Sequence, residues 1–249
     1  MWFDVCERLN RLAHRQLNTL VVAGEDRQLL LRALLFIRGL SSYQAALILA
    51  ERGLTTEART IARGCFETVF LLGAIDKQPQ LVDNLIVDDV TRKRRLAAAV
   101  IALPEDHQAD EAVSKRLSDY LSETEGHGSG LLKVEQMATI AGMKSIYDLY
   151  YRSLSNDAAH PSLTSLRRHV SESTTGDLLG FHFGHDVTDM LDTISAIATL
   201  GVYITRFAKD FVDNGQLSAE LDLCWEMYKS CNDSLRAASH EGLGQTKRE

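Results

Sequence analysis

The sequence predicts an all-α protein, a multi-helix bundle folded as a single domain, and three observations lead there. Its 249 residues include only three prolines, Pro79, Pro104 and Pro161, so long stretches lack the residue that most strongly breaks a helix. Apolar residues make up 45% of the chain, enough for a sizeable core and too many for a largely disordered chain. The 16 glycines sit mostly between apolar-periodic segments, where they mark helix ends.

Trp2 to Val22 reads as an amphipathic helix because Phe3, Cys6, Leu9, Ala13, Leu17 and Leu20 recur at intervals of three and four. It ends near Gly24. From Asp26 the run RQLLLRALLFIRGL is apolar almost all round, as in a helix enclosed by neighbours. Ser41 or Ser42 can cap a helix from Tyr43 to Arg52, closed by Gly53, and Thr55 or Thr56 a long helix from Glu57 to Ile75. So short a turn packs the two antiparallel. Pro79 suits the start of a helix from Gln80 to about Leu103, stopped by Pro104, and a charged helix follows from about Gln108 to Thr124.

The stretch GHGSG, Gly126 to Gly130, divides the chain near its middle as a loop or a mobile lid. A short helix at Val134 to Ala141 precedes a stronger one from Lys144 to about His160, halted by Pro161. Ser171 to Gly184 reads as irregular. Val187, Met190, Ile194, Ile197, Gly201, Ile204, Ala208 and Phe211 alternate spacings of three and four, which marks a bundle or dimer seam. A last helix, Gln216 to about Leu235, turns Leu217, Leu221, Cys224, Met227, Tyr228 and Cys231 inward. Residues 1–238 are thus expected to form the domain and 239–249 a flexible tail.

Lysine and arginine number 27 against 34 acids, a net charge of -7, so contact with a polyanion must be local. The N-terminus lacks the pattern of a signal peptide, and each apolar run is shorter than the roughly 20 residues that a bilayer span needs. Cys6, Cys65, Cys224 and Cys231 lie in helical patterns without a CxxC pair, which suggests buried reduced thiols. A cytoplasmic protein with no membrane segment is expected. His182 and His185 have a His-x-x-His spacing that could chelate zinc with Asp186 or Asp189, but a lone pair in a Gly-containing loop is a weak signal. Neither a metal nor another cofactor is expected.

Polar residues gather in YDLYYRSLSNDAAHPS. Asp148, Arg152, Asn156 and His160 follow at intervals of four and form one slowly drifting stripe. His160 at the helix end meets the negative pole of the dipole, which favours imidazolium and makes a usable general acid, with Asn156 to orient it. It could equally cap the last carbonyls while Asp148 and Arg152 form a solvated pair. Upstream, Arg63 and Glu67 are four apart on the otherwise apolar helix of EARTIARGCFE. They read as a surface ion pair, or as an inward pair able to bind a phosphate or carboxylate near His160. Arg92 to Arg95 and Arg167, Arg168 and His169 are basic clusters, either of which could track a phosphate backbone; the first reads more readily as a solvated face, and the second is closer in sequence to His160.

The run Asn156, Asp157, Ala158, Ala159, His160 resembles the end of the Arg-Asn-x-x-x-His signature of the HEPN superfamily, with Ser155 at the arginine position. The longer pattern YYRSLSNDAAHPS, with EARTIARGCFE, is also similar to a bacterial family of uncharacterised helical proteins, from about Arg52 to Val170. The HEPN resemblance implies an RNA- or nucleotide-binding protein, a metal-independent ribonuclease of the defence or toxin type, and a homodimer with a composite cleft. In that scheme His160 and Asn156 are catalytic, and Arg63, Glu67, Arg152, Arg167 and Arg168 contact substrate. The contrasting expectation is a non-catalytic interaction module using the Val187 to Phe211 seam, or a small-molecule sensor.

Overall fold

A computed structural model describes residues 1–22, 26–104, 110–126, 132–158, 162–181, 183–184, 187, 189–209 and 215–245. Among the described residues the fold is all-α apart from one small hairpin. Helix α1 (Trp2–Asn18) turns Val5, Cys6, Leu9, Leu12 and Ala13 into the core, the three-and-four spacing read from the sequence.

Helix α2 (Arg27–Glu51) starts on Asp26, whose carboxylate accepts the Leu29 amide at 2.8 Å. It runs unbroken through the point where Ser41 or Ser42 would begin a new helix. Ser41 Oγ donates back to the Ile37 carbonyl at 3.0 Å, so its hydroxyl serves the turn behind it and caps nothing. By length and composition α2 could cross a membrane, although half of its most apolar stretch is buried in the molecule. The shorter runs seen in the sequence hid that length.

Gly53, at a φ of 71°, turns the chain into α3 (Thr55–Lys77), and α2 and α3 form the most closely packed pair in the molecule. Thr55, expected as a cap, is instead the first helical residue and is buried. Helix α4 (Leu81–Ile101) pairs with α5 (Glu111–Glu123), a helix that buries none of its residues. Arg94 joins the two through the Leu121 carbonyl and the Thr124 hydroxyl. Most of GHGSG lies outside the described residues.

Helix α6 (Val134–Ile140) ends at Gly142, where φ is 72°. What reads as one helix from Lys144 is three pieces: α7 (Lys144–Ile146), a π-helical turn (Tyr147–Tyr151) and α8 (Arg152–Ala158). The wide turn inserts a π-helical stretch that the sequence pattern did not announce, yet Asp148 still pairs with Arg152 across it. It also lets Tyr147, Tyr150 and Tyr151 all reach Phe66 or Phe70 of α3, with ring centroids 6.0–6.1 Å apart.

Helix α9 (Leu163–Arg167) opens on a capping box between Ser162 and Ser165. Within the stretch expected to be irregular, β1 (Val170–Glu172) pairs antiparallel with β2 (Leu178–Phe181), with Val170 opposite Phe181 and a shift after Ser171. Gly176, at a φ of 86°, makes the turn.

Helix α10 (Met190–Ala208) is the axis of the molecule, packed by α1, α2, α3 and α11 (Gly215–Gln245). Ile194, Ile197, Gly201, Ile204 and Ala208 are all buried there and serve the bundle core, whereas Val187, ahead of the helix, is 69% exposed and Phe211 lies outside the described residues. A Cβ on Gly201 would stand 2.8 Å from Tyr43 Oη, itself buried and donating to the Cys6 carbonyl at 2.8 Å. Thr193, Thr199 and Thr205 are tolerated in this dry setting because each hydroxyl donates back to a carbonyl four residues earlier at 2.8 Å. The backbone of α11 stays helical past Leu235, as far as Gln245. All four cysteines are free and buried.

Candidate functional site

One face of α3 carries three charged residues in register, Arg59, Arg63 and Glu67, and all three meet the segment from Tyr151 to Asp157. They divide into two clusters a helical turn apart. The outer one holds Arg63 and Glu67, their side chains 27% and 38% exposed, 3.1 Å apart. Arg63 Nε donates to Ser155 Oγ at 3.1 Å and Nη2 to Tyr151 Oη at 2.8 Å, and its guanidinium carbon lies 4.9 Å from the centre of the Tyr151 ring. Tyr151 passes the chain on, donating to Glu67 at 2.8 Å. Burial, then the hydrogen bond to Glu67, pushes the Tyr151 hydroxyl well above the usual tyrosine range, so it stays protonated and acts as a donor. Ser155 Oγ, while accepting from Arg63, donates to the Tyr151 carbonyl at 2.7 Å.

The inner cluster is buried at its centre and meets solvent at Asp189, whose side chain is 42% exposed. Asp157, with a side chain 1% exposed, lies between two guanidinium groups. Arg59 donates through Nε to Oδ2, and Arg168 through Nε to Oδ1 at 3.1 Å. Arg59 also reaches Ser153 Oγ at 3.2 Å and Thr193 Oγ1 at 3.4 Å, while Arg168 Nη2 meets Asp189 at 2.7 Å. Asp189 precedes α10 in the left-handed region, φ 58°, with its side chain given to Arg168 rather than to capping the helix. Burial works against the Arg168 cation, yet its bonds to Asp189 and Asp157 outweigh this and raise its pKa. Two cations and two anions thus fasten α3, α8, the end of α9 and the start of α10 at one point.

Of the expected stripe, Asp148, Arg152 and Asn156 all lie on the exposed surface, and Asp148 and Arg152 form the solvated pair that was the other reading of it. Asp148 pairs at the surface with Lys144, at 2.5 Å, and more loosely with Arg152, at 3.7 Å. Arg152, Asn156 and Arg167 are exposed. Arg168, expected to face a substrate, turns inward as a clamp because Asp157 and Asp189 claim it. His160 lies outside the described residues, as do His182 and His185. Nearby, Ser162 Oγ donates to the Asn156 carbonyl at 2.8 Å. Among the described residues no three potential metal ligands gather. Arg92 and Lys93 of the other basic cluster pair with Asp88 and Asp89 on their own helix.

Arg59 and Asp157 went unremarked in the sequence although both lie in the segments singled out there. The signal was available: Arg59 precedes Arg63 by the same four residues that separate Arg63 from Glu67.

A model of a family of unknown function, DUF5677, matches residues 30–177. The chain belongs to this family. No curated protein and no solved structure matches it. The DUF5677 match takes in α3, α8 and α9, and so holds every member of both clusters except Asp189 and Thr193.

Proposed function

We propose that the chain is a HEPN-like protein that binds RNA or a nucleotide where α3 meets α8, and that it cuts RNA without a metal, as defence and toxin-type effectors do. One contact supports this above all: Arg63 Nε lies 3.1 Å from Ser155 Oγ, and Ser155 stands at the arginine position of the HEPN-like motif. A guanidinium therefore stands beside that position, supplied by a different helix. Glu67 and Tyr151 hold it from two sides, so it is preorganised to meet a phosphate.

In this reading Arg63 neutralises the scissile phosphate, Asn156 positions it and His160 protonates the departing oxygen. Arg152 and Arg167, both exposed, track the backbone, and Arg168 acts at one remove by fixing Asp157 next to Asn156. The protein works in the cytoplasm as a homodimer. For the second copy, Leu163 on α9 and Phe181 on β2 offer apolar surface, each 81% exposed.

The test incubates labelled RNA in EDTA with the wild-type protein, His160→Ala and Arg63→Ala, their folds checked by circular dichroism. The wild type is expected to cleave, His160→Ala to lose about 100-fold or more of the rate, and Arg63→Ala to lose binding as well. RNA neither bound nor cut, or cut equally well by a folded His160→Ala, overturns the proposal.

A further inference from the structure

Helices α2 and α4 run side by side in the same direction and leave two adjoining cavities of about 440 and 450 Å³, which share Leu85 and Asp89 in their walls. Each is within the size of ordinary small-molecule sites. The first is walled by Leu30, Leu31 and Leu34 of α2 against Val82, Leu85 and Ile86 of α4. The second continues over Leu71, Leu132 and Met137 to a charged mouth. On α2 the groove extends from Arg27 to Arg38, roughly 16 Å at the helical rise per residue. Its apolar lining is aliphatic, with no aromatic face on which a nucleobase could stack. Leu34 is 53% exposed and Ile86 44%, so this apolar surface is open to solvent.

The charges at the mouth specify the rest of the ligand. Three carboxylates stand there and each has its own cation: Glu67 with Arg63 at 3.1 Å, Asp88 with Arg92 at 2.7 Å and Asp89 with Lys93 at 2.6 Å. Arg38 lines the same cavity, is exposed, and pairs with no described residue. It is the surplus positive charge. With the three carboxylates already paired, one guanidinium is left for a ligand, and its planar fork matches a single carboxylate. From this charge complementarity and the straight aliphatic lining, we infer that the α2–α4 groove binds a free unbranched fatty carboxylate, its head on Arg38 and its tail along Leu34 and Leu85.

The experiment titrates the full chain with sodium decanoate by calorimetry, and with decyltrimethylammonium, which has the same tail and the opposite charge. Decanoate is expected to bind saturably at one site and the cation not to. Arg38→Ala should weaken decanoate about tenfold, and Leu34→Asp, a change at an exposed position, should abolish binding. Absence of saturable decanoate binding, equal binding of both head groups, or indifference to both variants overturns the inference. So does a dimer in sedimentation that Leu34→Asp breaks and decanoate leaves intact, since a second copy would then fill the groove. Arg38→Ala is expected to leave RNA cleavage unchanged, so this inference and the RNA reading fail separately.

Discussion

Arg59 and Arg63 lie one turn apart on the same helix and face the same partner, yet their surroundings differ sharply. Arg59 and its carboxylate Asp157 are closed off from water, with side chains 6% and 1% exposed. Arg63 and Glu67 keep about a third of their surface in solvent. Coulomb attraction in the closed site is only weakly screened, and an uncompensated charge there has no water to turn to. In the open site water replaces lost partners at small cost, and a ligand can reach the guanidinium. Burial, more than the residue types, separates a fastening from a place where chemistry can happen.

Removing Asp157 tests the closed side and should have the largest effect. Asp157→Ala leaves Arg59 and Arg168 facing each other across a dry gap, and breaking a buried pair costs about 3–5 kcal/mol. Urea denaturation should show that loss, and it should persist in about 1 M salt, where exposed pairs are screened. A loss under about 1 kcal/mol, the range of surface ion pairs, would place Asp157 effectively in water and erase the contrast with Arg63.

How much of this could be read from the chain depends on how far apart the causes lie. The buried face of α10 was legible because three-and-four spacing records burial directly, and the same spacing found the inward residues of α1. The break expected at Ser41 was an error of local chemistry: a serine that can cap a helix can equally return its hydroxyl to Ile37, and only the neighbours of α2 decide between them. The spacing of four did put Asp148, Arg152 and Asn156 at the surface and Asp148 beside Arg152, but it gave no sign of the π turn at Tyr147–Tyr151. Asp157 was hidden by Asn156 beside it, which the motif favours, although adjacent helical positions point in different directions. Its two arginines come from positions 98 residues before and 11 after, and spacing along the chain cannot reveal such a meeting.

Tyr151→Phe sharpens the open side with a smaller effect. The hydroxyl both accepts from Arg63 and donates to Glu67, so its loss removes two hydrogen bonds while keeping the ring on Phe70. Partly exposed groups can turn to water, so the cost should be about 1–2 kcal/mol, clearly below that of Asp157→Ala in the same denaturation series. On the proposed function, RNA binding should fall with it, because Arg63 loses one of the groups that orient it. Stability loss equal to that of Asp157→Ala would mean that the outer cluster is as buried as the centre of the inner one.

The smallest effect belongs to Asp148, on the solvent side of the same helical segment. The hydrogen bond from Lys144 holds its carboxyl below the usual aspartate value of 3.8. A carboxylate with a depressed pKa favours the folded state above its unfolded pKa, and that contribution disappears as the pH falls through the folded value. Both partners stand in water, so Lys144→Ala should shift the Asp148 titration upward in NMR spectra while leaving the midpoint of urea unfolding at pH 7 where it was. Asp157→Ala should lower the urea midpoint where Lys144→Ala leaves it unchanged, since Asp157 is closed off from water. If Lys144→Ala destabilised the fold as much as Asp157→Ala does, exposure would not be what divides the charged pairs of this helix.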